Sequence, residues 1–247
     1  MGGQALSPKY FIGTSGWHYE HWRGLFYPEG LAKTEWLKFY AKQFNTLELN
    51  NSFYHLPTEK AFNNWRESSP EGFVFAVKVS RFITHIKKLR DIGEAQDNFL
   101  SRACLLGHKL GPLLYQLPPG MSRNDEVLEN FLSRLPPEYR YVFEFRHRSW
   151  IDDAVFELLR RHKAGLCVFD MPGFTCPLEA TSDFAYIRFH GSGDMYAGCY
   201  SDEELSRWAE GIARLAEKLQ AVYIYFNNDA GAFAVKNALT LAGRLGR

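Results

Sequence analysis

Along Tyr141-Val142-Phe143-Glu144-Phe145-Arg146 the residues alternate strictly. In a β-strand that period of two sends Tyr141, Phe143 and Phe145 to one face and Val142, Glu144 and Arg146 to the other. The aromatic face demands burial, while the opposite face ends in a carboxylate and a guanidinium. This predicts a buried strand whose last residues open into a cleft. Thr46 to Asn50 repeats the pattern with Glu48 and Asn50 on one face, and Ala185 to His190 repeats it with Arg188 and His190. Five further short apolar runs read as strands. They are Tyr10 to Gly13, Phe73 to Val79 with Lys78 at its end, Pro112 to Gln116, Leu166 to Asp170, and Val222 to Asn227 with Tyr225 on the face of Asn227.

Helical periodicity fills most of the intervals. Thr34 is the expected cap of a helix with Trp36, Leu37, Tyr40 and Phe44 on its apolar face, and Thr58 caps one reaching about Glu67. Further helices are expected over about Ala95 to Leu106, Asp125 to Arg134 and, behind an Asp152 cap, to Lys163. Ser201 and Glu204 form a capping-box pattern opening a helix to Leu219, and Asn228-Asp229 starts the last one. The connection Met171 to Asp183 has no helical period, so little helix is expected there. Strand then helix, repeated eight times, is the signature of an α/β fold of the (β/α)8 TIM-barrel type, parallel and eight-stranded, with a poorly helical connection after the sixth strand. A doubly wound open sheet fits so many near-regular units less well. We expect a single TIM-barrel domain over residues 1–247.

Composition agrees with this size of core: 46% of the 247 residues are hydrophobic and 16% aromatic. The 29 Lys and Arg balance 28 Asp and Glu, so no global field draws the protein to nucleic acid or a membrane. The cysteines Cys104, Cys167, Cys176 and Cys199 form no CxxC pair, which argues for reduced thiols over a zinc knuckle or a disulfide framework. Met1 to Leu6 has no signal-peptide core and no run approaches a membrane span, so a cytoplasmic location is the default.

In a TIM barrel the active site lies at the C-terminal strand ends. Taking the inward residues there collects Glu48, Asn50, Lys78, Gln116, Glu144, Arg146, Asp170, Arg188, His190, Tyr225 and Asn227. Deeper inward positions are expected to be Val74, Ala76, Leu114, Val142 and Val168, so polarity gathers at one rim. A closed structural ion-pair network is the plain alternative, but an apolar layer would fill that space as well. The expected catalytic set is Glu48, Glu144, Asp170 and His190. The expected binding set is Asn50, Lys78, Gln116, Arg146, Arg188, Tyr225 and Asn227, with Trp17, Tyr54 and Trp150 as aromatic walls.

The segments Ile12-Gly13-Thr14-Ser15-Gly16-Trp17, Phe26-Tyr27-Pro28, Glu48-Leu49-Asn50 with Phe53-Tyr54, and Phe75-Ala76-Val77-Lys78 follow a recognisable order. So do Gln116-Leu117-Pro118-Pro119, Glu144-Phe145-Arg146-His147 with Ser149-Trp150, Arg188-Phe189-His190-Gly191 and Tyr225-Phe226-Asn227-Asn228. Over about Phe11 to Val235 the chain resembles the family called domain of unknown function 72, or YecE-like. The resemblance implies a TIM barrel and supplies no established activity. Proposals for that family lean on likeness to endonuclease-IV-like and xylose-isomerase-like barrels, which is analogy of fold.

Three functions compete on the residues. The first is an enzyme, a possible hydrolase, acting on a phosphate-bearing substrate such as a nucleotide, nucleic acid or sugar phosphate. Lys78, Arg146 and Arg188 would hold the anion, Gly191-Ser192-Gly193 would add a backbone nest, Glu144 or Glu48 would act as acid or base, and His190 would shuttle a proton. The second is a non-catalytic protein gripping nucleic acid or an anionic metabolite, using Trp17, Trp22, Tyr54, Trp150 and Tyr196 with Arg23, Arg81, Lys87 and Lys88. The third is a glycosidase-like enzyme with Glu48 and Glu144 as its carboxylate pair. No cofactor is favoured. A divalent-metal version would use Glu48, Glu144, Asp170 and His190, against which stand three cations in the same ring. Glu144→Gln and Arg146→Ala are each expected to leave folding intact and remove ligand binding or turnover. Oligomeric state has no signal in the sequence.

Overall fold

The computed structural model describes residues 9–193 and 196–246. The Met1 to Leu6 segment, where no leader is read, lies outside these residues. Eight parallel strands form the frame: β1 (Lys9–Thr14), β2 (Thr46–Leu49), β3 (Val74–Lys78), β4 (Leu110–Leu117), β5 (Tyr141–Phe145), β6 (Gly165–Met171), β8 (Phe184–Phe189) and β9 (Ala221–Phe226). A two-residue strand, β7 (Phe174–Thr175), turns back antiparallel on the end of β6. The hydrogen-bonded order is β1-β9-β8-β6-β5-β4-β3-β2. The two free edges then meet through a parallel bridge between Ser15 and Glu48, with the Gly16 amide donating to the Glu48 carbonyl at 2.9 Å. The result is a nearly closed α/β barrel of the TIM type.

That seam depends on close approach. The Tyr40 hydroxyl accepts from the Thr14 amide (2.8 Å) and donates to the Thr46 carbonyl (3.2 Å), while Asn45 Nδ2 donates to the Tyr10 carbonyl (3.2 Å). Gly13 sits between them: a Cβ there would lie 2.3 Å from the Thr46 carbonyl oxygen and 2.8 Å from the Tyr40 hydroxyl. Glycine is therefore required by contact with the neighbouring strand rather than by a turn.

The helices are α1 (Trp36–Tyr40), α2 (Asn51–Tyr54), α3 (Glu59–Ser68), α4 (Gly93–Ala103), α5 (Asp125–Leu132), α6 (Asp153–Arg161), α7 (Asp202–Ala216) and α8 (Phe233–Arg244). Thr58 and Asp152 cap α3 and α6 as their spacing predicts, Asn124 caps α5, and the Ser201–Glu204 capping box is complete. Thr34 caps nothing, because it lies inside a 3-10 turn (Lys33–Glu35) that runs straight into α1. The expected helix to Leu106 ends at Ala103 and continues as a 3-10 stretch, Cys104–Lys109, broken by Gly107 at φ 59°. The basic segment after β3 folds as a π-helical turn, Phe82–Ile86, and Lys88, Leu89 and Asp91 beyond it have positive φ. The Met171 to Asp183 connection contains β7 and no helix, as its lack of period predicts.

Two apolar clusters divide the work. The larger fills the space between sheet and helices, with Trp22, Trp36, Phe75, Phe143 and Trp150 essentially inaccessible. The smaller lies inside the barrel: Ala76, Leu114, Val142, Cys167, Phe184, Tyr186, Ala221, Tyr223 and Tyr225, with Phe11 stacked on Tyr223 at 4.9 Å. On β6 the inward residue is Cys167, and Val168 faces the helices. The expected parity of this strand is therefore reversed, with consequences for Asp170.

Candidate functional site

Above the apolar interior the inward residues become charged. Glu48 on β2 and Glu144 on β5 are both fully buried, and the Arg188 guanidinium of β8 lies between them. Arg188 Nη2 donates to Glu48 Oε1 (2.8 Å) and Nη1 to Glu144 Oε2 (2.6 Å). Glu48 also accepts from Ser15 Oγ (2.6 Å) and the Tyr186 hydroxyl (2.5 Å). Glu144 Oε1 accepts from Gln116 Nε2 (2.9 Å) and from Arg146 Nε. Burial alone would push the Glu144 carboxyl up, but Arg146 and Arg188, with Lys78 behind them, prevail and hold it well below the usual carboxylate range. Cys167 Sγ approaches Glu144 Oε2 to 3.8 Å, and burial together with that carboxylate keeps it a thiol.

His190 stands at the end of β8, fully buried. Its Nε2 is 2.8 Å from Arg146 Nη2 and 3.5 Å from Arg188 Nη1, both obligatory donors, so Nε2 is the unprotonated nitrogen and accepts from Arg146. Nδ1 then carries the proton, and the Asn227 carboxamide, whose Nδ2 lies 3.2 Å away, accepts it only with its oxygen turned to that position. Burial, followed by the two guanidinium charges, drives the imidazole pKa well below 6.5. His190 is thus a neutral acceptor that aims Arg146, which is a different role from the proton shuttle its sequence position suggests. Arg146 is further held by Met171 Sδ (2.9 Å) and lies over the Phe169 ring at 5.1 Å.

Lys78 differs from these cations. Its Nζ sits over the Phe53 ring, 4.1 Å from the centroid, and among the described residues it makes no hydrogen bond or ion pair. Burial and the Arg188 charge lower its pKa from 10.5 to about 8. The β2–β3 register pairs Leu49 with Val77 and so sets Asn50 beside Lys78. Asn50 Oδ1 and Arg188 Nε are buried without a protein partner. His85, brought in by the π-helical turn, packs edge-on against Phe53 at 5.0 Å, and burial plus Lys78 lower its pKa to about 4. Tyr54, largely exposed, completes the Phe53 cluster at 5.0 Å.

The structure therefore gathers Glu48, Asn50, Lys78, Gln116, Glu144, Arg146, Arg188, His190 and Asn227, sets Tyr54 exposed beside them on Phe53, and leaves four expected residues aside. Asp170 points the other way: its oxygens accept from Thr175 Oγ1 (2.9 Å) and the Tyr200 hydroxyl (3.0 Å), so the carboxylate braces the β6–β7 turn. Tyr225 lies one layer too deep, fully buried and 2.7 Å from Thr46 Oγ1. Trp150 stacks on Phe145 at 4.8 Å and donates Nε1 to the Met121 carbonyl (2.7 Å), in the sheet–helix core. Trp17 is nearly buried against Trp65. Trp22 is also in the core, and Arg23 is bound to Glu20 and to backbone carbonyls, whereas Tyr54, Arg81, Lys87 and Tyr196 of the expected stacking surface are exposed.

The same geometry weighs on two other expectations. A glycosidase pair needs room for a sugar between its carboxylates, and here Arg188 occupies that space. Among the described residues no three His, Cys, Asp or Glu side chains converge to hold a metal ion, since Asp170 is elsewhere and the oxygens of Glu48 and Glu144 are taken by cationic and hydroxyl donors. The Gly191 amide donates to the Tyr200 hydroxyl (3.2 Å), which removes one donor from the expected nest.

Sequence reasoning missed Ser15, Tyr186 and His85. Tyr186 shares the inward parity of Arg188 and was legible by that rule. Ser15 extends the β1 alternation through Gly13, hidden by the turn-like Thr-Ser-Gly. His85 arrives through a π-helical turn that has no sequence period.

A family model described as "Protein of unknown function DUF72" matches residues 11–247. The UPF0759 protein YecE of Escherichia coli (strain K12) is 33% identical over 138 residues, 56% of this chain and 48% of that protein. The chain thus aligns with about half the length of that relative. The UPF0759 protein YunF of Bacillus subtilis (strain 168) is 24% identical over 92% of this chain and 91% of its own. Among solved structures, a DUF72 family protein from Thermotoga maritima MSB8 superposes with a TM-score of 0.88 at 32% identity, covering 97% of this chain and 100% of that one. A DUF72 family protein from Enterococcus faecalis V583 superposes at 0.82 with 20% identity over 96% of each chain, a likeness of fold.

Proposed function

Since this chain belongs to the DUF72 family, whose description assigns no activity, its chemistry has to be argued from the barrel mouth, and we propose that it is an enzyme that binds a small phosphate-bearing substrate there. The observation that carries this reading is the layering of the site. Glu48, Glu144, Arg188 and His190 are buried, whereas Asn50, Lys78, Gln116, Arg146 and Asn227 are partly accessible above them. A ligand entering the mouth meets two cations and three carboxamides before any carboxylate. Three cations against two carboxylates leave the cluster one positive charge in excess, in a setting where solvent screens little. Arg146, aimed by His190, offers a planar fork to a phosphate, and Lys78 offers a point charge. The unpaired Asn50 Oδ1 suits a hydroxyl donor, which favours a sugar phosphate or nucleotide over bare phosphate.

The test is titration calorimetry with inorganic phosphate, ribose 5-phosphate and a nucleoside monophosphate at two salt concentrations. We expect one site per chain, weakened about tenfold or more by Arg146→Met, which is on the order of 1.4 kcal/mol. Equal binding by wild type and variant, or no heat with any phosphate ester, would overturn the reading. A steep loss with salt and preference for oligonucleotides would point instead to a nucleic-acid surface.

A further inference from the structure

Resting on the phosphate-site reading, we propose that Lys78 is a nucleophilic amine that forms an imine with the carbonyl group of a phosphate-bearing aldehyde or ketone. Two lysines of this protein differ in what surrounds the amine. Lys109 is almost fully buried, but its Nζ has three acceptors, the Arg66 carbonyl (2.6 Å), the Ser69 carbonyl (2.7 Å) and Ser69 Oγ (3.1 Å). That is a structural lysine. Lys78 Nζ, at the open end of the barrel, has among the described residues only the Phe53 ring beneath it. The carboxylates that could pair with it, Glu48 and Glu144, are turned to Arg188, Arg146, Ser15, Tyr186 and Gln116.

The charges facing Lys78 are Glu48 from β2, Glu144 and Arg146 from β5, and Arg188 from β8, with His85 across Phe53. The guanidiniums are permanently charged, so the group in this cluster that relieves cation–cation repulsion by losing a proton is the lysine. With its pKa near 8, an appreciable fraction of Nζ carries a free lone pair at mildly alkaline pH. Desolvation beside another cation is the usual means of activating a lysine for carbonyl chemistry. Arg146 remains to hold the phosphate.

The step balances without an external oxidant or reductant. The Nζ lone pair forms a C–N bond to the carbonyl carbon, the C=O π electrons pass to oxygen, and nitrogen's proton moves to that oxygen to give a carbinolamine. Departure of water, which takes the hydroxyl group and the proton remaining on nitrogen, leaves the C=N bond of the imine.

Pyridoxal 5′-phosphate serves as a phosphate-bearing aldehyde probe, trapped by borohydride, which delivers hydride to the C=N carbon. Peptide mass mapping should find the reduced adduct chiefly at Lys78, with yield rising from pH 7 to 9 and falling when inorganic phosphate is added. Lys78→Arg, folded by circular dichroism, should lose that adduct without a new one. Label spread over the exposed lysines with no preference for Lys78, or Lys78 labelling indifferent to phosphate, would overturn the proposal. Phosphate calorimetry on unlabelled wild-type protein separates the two ideas. Heat without a Lys78 adduct rejects the imine alone, whereas absence of both rejects the phosphate site as well.

Discussion

Glu144 and Arg146 are two residues apart on one face of β5, yet one is sealed and the other reaches solvent at the mouth. Their substitutions should therefore behave differently, contrary to the equal tolerance expected from sequence. Glu144→Gln leaves Arg146 and Arg188 facing a neutral amide in a buried site, and should cost about 3–5 kcal/mol in urea denaturation. Arg146→Met leaves Glu144 with Arg188 and Gln116, so it should cost clearly less while removing phosphate binding. Equal losses would show that both residues serve stability alone. His190 sets a pH dependence at the same scale. Its folded-state pKa lies well below 6.5, so below about pH 6.5 the unfolded chain binds a proton that the folded chain refuses. Stability should be full above that pH and fall on acidification by up to about 1.4 kcal/mol per unit from this group, with His85 acting in the same direction down to about pH 4. Denaturant midpoints between pH 5 and 7.5 for wild type and His190→Gln would show it, the variant having the flatter curve.

Among the elements, the β1–β2 seam is an exacting one, because side chains and a single bridge do the work that a six-residue ladder does between β1 and β9. Gly13→Ala should force β1 away from the Thr46 carbonyl and cost about 1–3 kcal/mol by overpacking. The change should also disturb ligand binding, since Ser15 and Glu48 join the same seam to the charged ring. A Gly13→Ala protein of unchanged melting temperature would count against the seam as a tight contact. By comparison the α7 terminus is local. Glu204 completes the Ser201 box and accepts from Ser192 Oγ (2.7 Å), linking the loop after β8 to the helix.

At the scale of the whole molecule, a barrel lets residues distant in sequence share one desolvated space. Glu48 and Arg188 are 140 positions apart in sequence and hydrogen-bonded at 2.8 Å. A ligand that binds only this assembled mouth should raise apparent stability by mass action, by roughly 2.7 kcal/mol at a hundredfold excess over its Kd. Thermal unfolding in rising inorganic phosphate should show an upward shift in wild type, absent in Arg146→Met. A shift of equal size in both would identify a general salt effect.

What the sequence determined by itself follows from local rules. Period-two alternation marked the strands, the caps Thr58, Asp152 and Ser201 marked three helix starts, and repetition of the unit implied the barrel. Alternation also placed Glu48, Lys78, Glu144, Arg146, Arg188 and His190 on inward faces, because side-chain direction along a strand is fixed by the backbone. Tertiary structure alone decided what alternation cannot carry from one strand to the next. The register of β6 turned Asp170 outward, the depth of each strand sank Tyr225 beneath the ring, and helix packing took Trp150 into the core. It also decided that Arg188 rather than a ligand separates the two carboxylates, and that Lys78 remains unpaired among the described residues. Those outcomes depend on relative strand height and on competition among buried charges, which are properties of the closed barrel rather than of any one segment.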